Sequence, residues 1–380
     1  MSVLPLTELG KRVLANVDAD RGDYAEGMLA VPASVYADPD RHDREVDAAF
    51  RQSPLMVALS VDIPDPGDFT TLEIADRPIV VVRDNDGRAR TYLNVCRHRG
   101  AALTEECFGR TRRLTCPYHA WSYDLNGTLV GIPGREAFDG LDVEGLMEFH
   151  TEERVGAVFA VLTEGLTFDV DEWLGEMAGA LEILQLDKLH RHDVETKLPS
   201  GGWKPTADGY LDGYHLGYLH RRTIGAKSIT NRNTYDLFGP HVRIGFANKP
   251  ILEQRDTPVA DWDMYGAFSM VHYLFPNVSI SGHPTTGLMV SRIFPSTVDE
   301  CTVIQYQYFR EPLLTDEARA DAETKRKKYE QVTYEEDFLT VMGIGRRLPA
   351  LVDAGDVFRF GRNEMGNQNL HRWLDVLVDA

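Results

Sequence analysis

The sequence predicts an α+β protein in which a small all-β domain precedes a larger domain built from an antiparallel sheet flanked by helices. Between Leu55 and Thr163, short runs rich in β-branched residues alternate with turn signals. After Phe168, helical patterns alternate with long strand-like runs. Helices and strands mixed in this way are typical of an α+β domain.

The order of the predicted elements sets three segments. Residues 1–45 are polar and partly helical and are expected to pack on the second domain, residues 46–165 form the all-β domain, and residues 166–380 form the mixed domain. The strands predicted in the first domain are Pro78–Arg83, Thr91–Val95 and Val155–Leu162, with hairpin turns at Asp84–Gly87 and Leu125–Thr128. The second domain has helical patterns at Trp173–Leu186 and Trp203–His220, strands at Met270–Ser281 and Cys301–Phe309, and a charged helix from about Thr315 to Leu348.

Composition limits the classes of function. No apolar run approaches the ~18 residues needed to span a bilayer, and Met1–Leu14 lacks the pattern of a signal peptide. We therefore expect a cytoplasmic protein with no membrane partner. The net charge of −19 argues against nucleic acid as a partner. Four cysteines are too few for a disulfide framework, and cysteine near histidine in a reducing compartment more often indicates a metal.

Two cysteines and two histidines form the first candidate metal set. Cys96-x-His98 is followed, after seventeen residues, by Cys116-x₂-His119. Two thiolates and two imidazoles can hold zinc, or a [2Fe–2S] cluster in which two histidines replace two cysteines on one iron. Each loop supplies one cysteine and one histidine, and this interleaving favours the iron–sulfur cluster.

The second candidate set lies within Trp203–His220. Asp208, Asp212 and His215 are spaced i, i+4 and i+7, which predicts one stripe of a helix. His220 lies five residues further on, about 140° around an ideal helix, so the helix must deform or end between the two histidines. Two histidines and one carboxylate make the facial triad of non-haem Fe(II) oxygenases.

The third ligand must come from another segment, and Tyr334–Asp337 offers three carboxylates. Asp337 leads an apolar stripe of Val341, Ile344 and Leu348, which predicts that Asp337 faces inward. Glu336 leads a polar stripe and is predicted to face away from the site. Glu335 is the second choice.

These motifs resemble those of a known family. Cys96–Gly100 and Cys116–Tyr123 closely resemble the Rieske loops of ring-hydroxylating oxygenase alpha subunits, although Ala120 stands where members often have glycine. The pattern Asp-x₂-His-x₄-His after Trp203-Lys204 is similar to the iron helix of the same family. Asp208 stands where relatives such as naphthalene dioxygenase have asparagine.

The resemblance implies two cofactors and a set of partners. It implies a Rieske [2Fe–2S] cluster on Cys96, His98, Cys116 and His119, and a mononuclear Fe(II) on His215, His220 and Asp337. Electrons would come from a reductase or ferredoxin, and O₂ and a small organic substrate would react at the iron. The family assembles as a trimer, with or without a beta subunit, in which a carboxylate matching Asp212 carries electrons between neighbouring subunits.

The expected function is that of a terminal oxygenase, which hydroxylates an aromatic substrate by dihydroxylation or monooxygenation. The alternatives are oxidative demethylation or monooxygenation of a non-aromatic substrate, and a Rieske electron carrier without oxygenase activity. Asp208, Gly209 and Leu216 flank the predicted iron ligands and are expected to contact the substrate, with strand residues of Phe268–Arg292 and Phe309 completing the pocket. Phe360–Glu364 is a conspicuous string for which the sequence offers no role.

Overall fold

The structure, a computed structural model, describes residues 6–143, 145–192, 194–283 and 286–379, apart from the side chain of Tyr265. The chain forms two compact units. The small unit comprises Asp47–Trp173 with Leu186–Lys188, and the large unit comprises the chain up to Val46, Leu174–Gln185 and the chain from Leu189 onward.

Most strands follow one another along the chain without an intervening α-helix. The strands are β1 (Leu29–Pro32), β2 (Leu55–Leu59), β3 (Asp68–Ile74), β4 (Arg77–Arg83), β5 (Ala89–Leu93), β6 (Phe108–Arg110), β7 (Leu114–Thr115), β8 (Ser122–Tyr123), β9 (Leu129–Gly131), β10 (Glu148–Phe149), β11 (Thr151–Arg154), β12 (Ala157–Ala160), β13 (His190–Arg191), β14 (Thr196–Ser200), β15 (Thr234–Phe238), β16 (His241–Ala247), β17 (Phe268–Leu274), β18 (Val278–His283), β19 (Gly287–Pro295), β20 (Cys301–Phe309) and β21 (Val357–Phe360). The α-helices are α1 (Leu6–Asp18), α2 (Ser34–Ala37), α3 (Pro39–Glu45), α4 (Val170–Leu174), α5 (Met177–Glu182), α6 (Trp203–Leu211), α7 (Met264–Ala267), α8 (Asp316–Glu330), α9 (Leu339–Gly345), α10 (Leu348–Asp353) and α11 (Met365–Asp379), and π-helices span Val46–Arg51 and Gln331–Phe338.

The small unit is built from three antiparallel sheets. Five strands run in the order β10-β5-β4-β3-β6, three in the order β11-β12-β2, and three in the order β7-β8-β9. Both predicted hairpin turns are present, and Gly87 and Gly127 take the left-handed backbone conformation (φ +81° for each) that such turns require. The strand-rich first domain predicted from the sequence is confirmed.

The large unit is built on an eight-stranded antiparallel sheet. Its strands run in the order β13-β20-β19-β18-β17-β16-β15, and β14 also pairs with β20. Met270 belongs to the cluster that buries the apolar residues Leu9 and Val13 of α1. Tyr273 lies three residues further along β17, so it points to the opposite face of the sheet. The α+β prediction is confirmed for this unit as well.

The second sheet face receives α6. Tyr273 pairs through Ser279 and Ser291 with Gln305, so these four residues share one face. The Gln305 side chain donates a hydrogen bond to the Tyr210 hydroxyl of α6, at 3.3 Å. The helix that precedes the predicted iron ligands is therefore held on this face of the sheet.

Three predicted elements differ from the structure. The helical pattern Trp203–His220 yields a helix only as far as Leu211, and Trp173–Leu186 yields two short helices, α4 and α5. Met270–Ser281 is two strands, because a turn containing the cis Phe275–Pro276 peptide separates β17 from β18. Proline cannot donate to a strand ladder, so it marks the end of a strand rather than its interior.

The Cys301–Phe309 strand matches the prediction, and Thr315 caps α8 by accepting a hydrogen bond from the Ala318 backbone. Within the described ranges, no helix has the length and apolar composition needed to cross a membrane.

Candidate metal centres

The two cysteine–histidine loops of the small unit have the same backbone geometry. In the first, Gly100 N–H donates to the Cys96 carbonyl at 3.0 Å, and in the second, Ala120 N–H donates to the Cys116 carbonyl at 3.0 Å. Gly100 and Ala120 occupy equivalent left-handed positions, with φ of +77° and +58°. This conformation favours glycine over alanine, which gives a physical reason for glycine at position 120 in relatives.

The loops present four buried candidate ligand atoms, of which the two histidine nitrogens lack a partner. Cys96 and Cys116 are each only 2% exposed. The Nδ1 atoms of His98 and His119 are buried and make no hydrogen bond, and the two rings lie 4.7 Å apart edge to face. Buried imidazole nitrogens normally find a partner, so two unpaired ones beside two buried thiols fit the ligand set of a [2Fe–2S] cluster.

Neighbouring aromatic residues support this arrangement. The His98 ring stacks on Trp121 at 4.7 Å. The backbone N–H of Arg97 donates to the Tyr123 hydroxyl oxygen at 3.0 Å, and the same oxygen lies 3.5 Å from Cys96 Sγ. Since the oxygen accepts from Arg97, the hydroxyl proton is free to point at the sulfur.

The second candidate site, in the large unit, brings two histidines and one carboxylate together. His215 Nε2 lies 3.1 Å from His220 Nε2 and 3.6 Å from Asp337 Oδ1, and His220 Nε2 lies 3.0 Å from the same oxygen. A metal with ligands about 2.1 Å away at right angles separates the ligand atoms by about 3 Å. The three edges therefore fit one face of an octahedral iron site.

Both histidines are oriented by a second carboxylate. Asp212 Oδ2 lies 2.9 Å from His215 Nδ1, and Glu336 Oε2 lies 2.5 Å from His220 Nδ1. A carboxylate can only accept, so each Nδ1 is placed to carry a proton, and each Nε2 would then offer its lone pair to a metal held together with Asp337. This pattern is the one expected of histidines that ligate a metal through Nε2.

The helix ends before the ligands, and this corrects the predicted stripe. Asp212 has an extended backbone (φ −102°, ψ 121°), so His215 does not share a helical face with Asp208. The Asp212 carboxylate accepts from the Tyr214 backbone N–H, which makes a tight turn after the helix. The helix ends before both histidines rather than between them, and the turn that follows lets both reach one point.

The prediction that Glu336 faces away from the site is wrong. Gln331–Phe338 is a π-helix, which holds more residues per turn than the 3.6 of an α-helix. Successive side chains therefore differ less in direction, and Glu336 reaches His220 while Asp337 reaches both histidines. Thr223 Oγ1 also donates to Glu336, at 2.7 Å.

A cavity of about 240 Å³ adjoins the triad within the large unit. Its wall includes the carboxylates Asp208, Asp212, Asp337 and Glu364, the aromatic residues Phe358 and Phe360, and the apolar residues Leu219, Val341 and Ile344. The cavity is thus lined by both acidic and apolar side chains.

Only some of the residues expected to contact the substrate line this cavity. Asp208 and Gly209 line this cavity. Among the described lining residues, Leu219 is present and Leu216 is not. None of the described residues of Phe268–Arg292 lines it, and Phe309 does not line it either.

Glu364 is a cavity residue for which the sequence pattern indicated no role. Its carboxylate accepts from the Gly361 backbone N–H at 2.5 Å. Burial, together with the negative charges of Asp212 and Asp208, raises the pKa of Glu364 to about 7. The conspicuous string at Phe360–Glu364 therefore forms one wall of the cavity beside the triad.

Comparison with known families decides the classification of the chain. A family model described as the catalytic domain of ring-hydroxylating alpha subunits matches residues 187–380, just over half of the chain. The chain belongs to this family. A model of the Rieske [2Fe–2S] domain matches residues 53–148. These two domains carry the Rieske cluster and the mononuclear non-haem iron of the ring-hydroxylating oxygenases, in agreement with the predicted cofactors.

Curated relatives of this chain include oxygenase components named for aromatic substrates and for carnitine. The chain is 34% identical to the large oxygenase component of salicylate 5-hydroxylase from Ralstonia sp over 216 residues, which is 51% of this chain and 50% of that protein. It is 29% identical to the carnitine monooxygenase oxygenase subunit of Escherichia coli K12 over 301 residues, 76% of this chain and 77% of that protein. The aligned part spans about half the length of the salicylate relative.

Solved structures of the family share the fold over nearly the whole chain. A quaternary ammonium Rieske monooxygenase has a TM-score of 0.78 at 21% identity and covers 99% of both chains. A naphthalene 1,2-dioxygenase from Rhodococcus sp. bound to indole has a TM-score of 0.75 at 20% identity and covers 100% of this chain and 99% of that one.

Proposed function

We propose that this chain is the terminal oxygenase component of a multicomponent Rieske oxygenase, which hydroxylates a small organic substrate with O₂. The observation that carries this proposal is the triad of His215, His220 and Asp337, whose edges of 3.0, 3.1 and 3.6 Å fit one face of an iron site. A facial triad leaves the opposite coordination positions open for O₂. An electron carrier has no need of such a site, which argues against a Rieske protein without oxygenase activity.

The proposed ligands act as two separate sets. His215, His220 and Asp337 would hold Fe(II), where O₂ is activated, and Cys96, His98, Cys116 and His119 would hold the [2Fe–2S] cluster, which supplies electrons from a reductase or ferredoxin. The chain contributes orientation at the iron site. Asp212 and Glu336 hold the Nδ1 protons of the two histidines, so that both Nε2 lone pairs point at the same place.

Asp212 is the proposed bridge for electrons that arrive from a neighbouring subunit of a homotrimer. The resemblance to the family supports this role, and so does the position of the side chain. Asp212 lines the cavity beside the triad, its carboxylate is 18% exposed, and it bonds directly to His215. A histidine of a neighbouring cluster could therefore donate to the same carboxylate.

The substrate class has two candidates. Aromatic hydroxylation is the leading one, because the chain shares 34% identity with a salicylate hydroxylase component and 30% with an anthranilate dioxygenase large subunit. The second is monooxygenation or demethylation of a quaternary ammonium compound. It is favoured by the carnitine relative, of which the alignment covers 77%, a larger share than of the aromatic relatives.

The test of the oxygenase proposal is a pair of variants with opposite effects. His220→Ala should abolish turnover and leave the visible spectrum of the cluster intact, whereas Cys116→Ser should bleach the cluster and leave cobalt binding at the triad intact. Wild type should contain about three irons per chain, two in the cluster and one at the triad. Two irons per chain and full cluster spectra in both variants would contradict the proposal.

The substrate candidates are separated by O₂ consumption with a surrogate reductase. Aromatic carboxylates such as salicylate and anthranilate form one arm of the screen, and carnitine and glycine betaine form the other. The substrate class is identified by O₂ uptake that requires the substrate and that is lost in His220→Ala. O₂ uptake by the cluster alone survives in that variant.

A further inference from the structure

A buried group of side chains surrounds Asp208, which is neither a proposed iron ligand nor the proposed bridge. Tyr36 of α2 and His371 and Asn367 of α11 all reach its carboxylate, and we call these three residues the Asp208 clamp. Tyr36 and His371 are each 2% exposed, and Asn367 is 1% exposed. Three polar side chains are therefore removed from water around one carboxylate.

Every member of the clamp acts as a donor to Asp208. The Tyr36 hydroxyl donates to Oδ2 at 2.7 Å, and the Asn367 amide donates to Oδ1 at 3.2 Å and to the Asp208 carbonyl at 2.9 Å. His371 Nε2 lies 3.1 and 3.3 Å from the two carboxylate oxygens.

The geometry also shows whether His371 Nε2 donates or accepts. Tyr36 has a single hydroxyl proton, which it gives to Asp208, so its oxygen must accept from His371 Nε2, 2.8 Å away. His371 Nε2 is therefore protonated and donates to both neighbours. Burial and the charge of Asp208 raise the pKa of Tyr36 well above its usual value, which keeps the hydroxyl a donor.

A carboxylate accepts from all three donors at this position. Asparagine has one accepting oxygen, and its amide nitrogen can only donate, so the Tyr36 hydroxyl and the His371 ring would have to reverse their hydrogen bond to find partners. The Asp208 carboxylate is thus matched by donors from two distant segments of this chain. Rearranging these buried hydrogen bonds is more costly than loss of an exposed hydrogen bond.

The clamp acts at the end of the helix that leads to the iron ligands. Asp208 lies in the last turn of α6, which ends at Leu211 and is followed by Asp212. Gly366 of α11 approaches so closely that a methyl group added there would lie 2.8 Å from the Leu211 carbonyl oxygen. The position of this turn therefore depends on α11 and α2 as well as on the sheet.

We propose that the Asp208 clamp positions the iron site, and that Asp208 is a positioning residue acting through Asp212 on His215. The proposal rests on the proposed function, because it requires a metal at the triad. Partners that orient metal ligands typically change metal affinity by about 10- to 100-fold when removed. Asp208 lies one step further from the metal, so we expect an effect at the lower end, about 10-fold.

The test uses the full chain with its cluster intact and oxidised, so that the cluster is silent in EPR. The mononuclear site is emptied with a chelator and titrated with Co(II) by equilibrium dialysis, and cobalt is counted separately from cluster iron. Asp208→Asn should bind Co(II) about 10-fold more weakly than wild type and change the Co(II) EPR spectrum, with the cluster absorption unchanged. Tyr36→Phe removes one donor and retains the ring that stacks on Phe358 at 4.2 Å, so it should shift both readouts in the same direction but less.

Asp375→Asn is the matched control. It makes the same substitution on α11 and removes an ion pair with Arg41, but the Asp375 side chain is 59% exposed and lies outside the clamp. It should leave cobalt affinity and the EPR spectrum at the wild-type values.

The outcomes separate this inference from the proposed function. Wild-type cobalt affinity and EPR in Asp208→Asn would overturn the inference even if its melting temperature falls, because that result shows a purely structural role. If Asp208→Asn fails to fold, Tyr36→Phe decides by the same criterion. Failure of the wild-type protein to bind Co(II) would instead overturn the iron site and with it the proposed function.

Discussion

Two neighbouring carboxylates have different roles at the proposed iron site. Asp337 Oδ1 lies near both histidine Nε2 atoms, whereas Glu336 holds the opposite nitrogen of His220 and accepts from Thr223. The local π-helix brings both side chains to one site, although helical periodicity separates them. Glu336, which precedes the proposed ligand Asp337 in the sequence, thus orients a different proposed ligand, His220.

Glu336→Gln should weaken metal binding at the triad by about 10- to 100-fold, because a neutral amide oxygen accepts from the Nδ1–H of His220 less strongly than a carboxylate and so holds the ring less firmly. Asp337→Ala should remove binding altogether, since a ligand is lost. Glu335→Ala is the control, because that side chain is exposed. Cobalt titration measures all three, and equal affinities for Glu336→Gln and Glu335→Ala would contradict the role of Glu336.

The cluster site has its own orienting residue in Tyr123, which is 0% exposed and whose hydroxyl lies 3.5 Å from Cys96 Sγ. A hydrogen bond to a cluster sulfur stabilises the more negative, reduced state and so raises the reduction potential. The sequence singled out the ligands but not this tyrosine, because nothing in the spacing tells which aromatic residue turns its hydroxyl inward.

Tyr123→Phe should lower the reduction potential of the cluster, by at most about 60 mV if the bond is worth ~1.5 kcal/mol in a one-electron couple. The measurement is a redox titration followed by EPR of the reduced cluster. Tyr118→Phe serves as control, because Tyr118 is 57% exposed and its hydroxyl bonds Arg99 rather than a ligand. An unchanged or higher potential in Tyr123→Phe would show that the hydroxyl does not donate to the sulfur.

At the scale of elements, the segment after α6 depends on close backbone packing. A methyl group added to Gly217 would overlap the Thr230 side chain, and one added to Gly213 would overlap Asn233. Both glycines lie between Asp212 and His220, so the turn that carries the proposed ligands is pressed against the chain that leads into β15. Glycine is needed here for space rather than for an unusual backbone angle.

Gly217→Ala should therefore destabilise the protein by about 1–3 kcal/mol and reduce metal occupancy at the triad, because the turn must shift to relieve the overlap. Gly209→Ala is the matched control, since a methyl group there has no neighbour within 4 Å and the position is helical. That variant should gain roughly 0.5–1 kcal/mol. Denaturant unfolding compares the two, and a loss of stability in Gly209→Ala as large as in Gly217→Ala would refute the steric argument.

At the scale of the whole molecule, the proposed electron path joins one subunit to the next. Asp212→Asn should weaken metal binding at the triad, because Asp212 also orients His215, and at equal iron occupancy it should slow the reoxidation of the cluster by about 10- to 100-fold. Asparagine keeps the shape of the side chain but offers an acceptor at one end only, whereas a bridge between two histidines needs an acceptor at both ends. The measurement is single-turnover reoxidation of the pre-reduced cluster by O₂ with the substrate that the screen identifies, at equal iron occupancy. Reoxidation at the wild-type rate would remove Asp212 from the electron path.

The sequence by itself determined the parts of this protein that are encoded locally. The ligand pattern of the cluster loops and the order of strand-rich and mixed segments depend on residues a few positions apart, so motif and periodicity predict them. The proposed iron ligands His215 and His220 lie five residues apart and are recognisable for the same reason.

Only the tertiary structure decided how those ligands are held. Glu336 and His220 are 116 residues apart in the chain, and Asp208 and His371 are 163 residues apart. Helical periodicity assumes a regular helix, but α6 ends before Asp212 and a π-helix carries Glu336 and Asp337. Local periodicity cannot predict these contacts, because they pair polar groups of distant segments, and a buried polar group left without a partner costs about 1–3 kcal/mol.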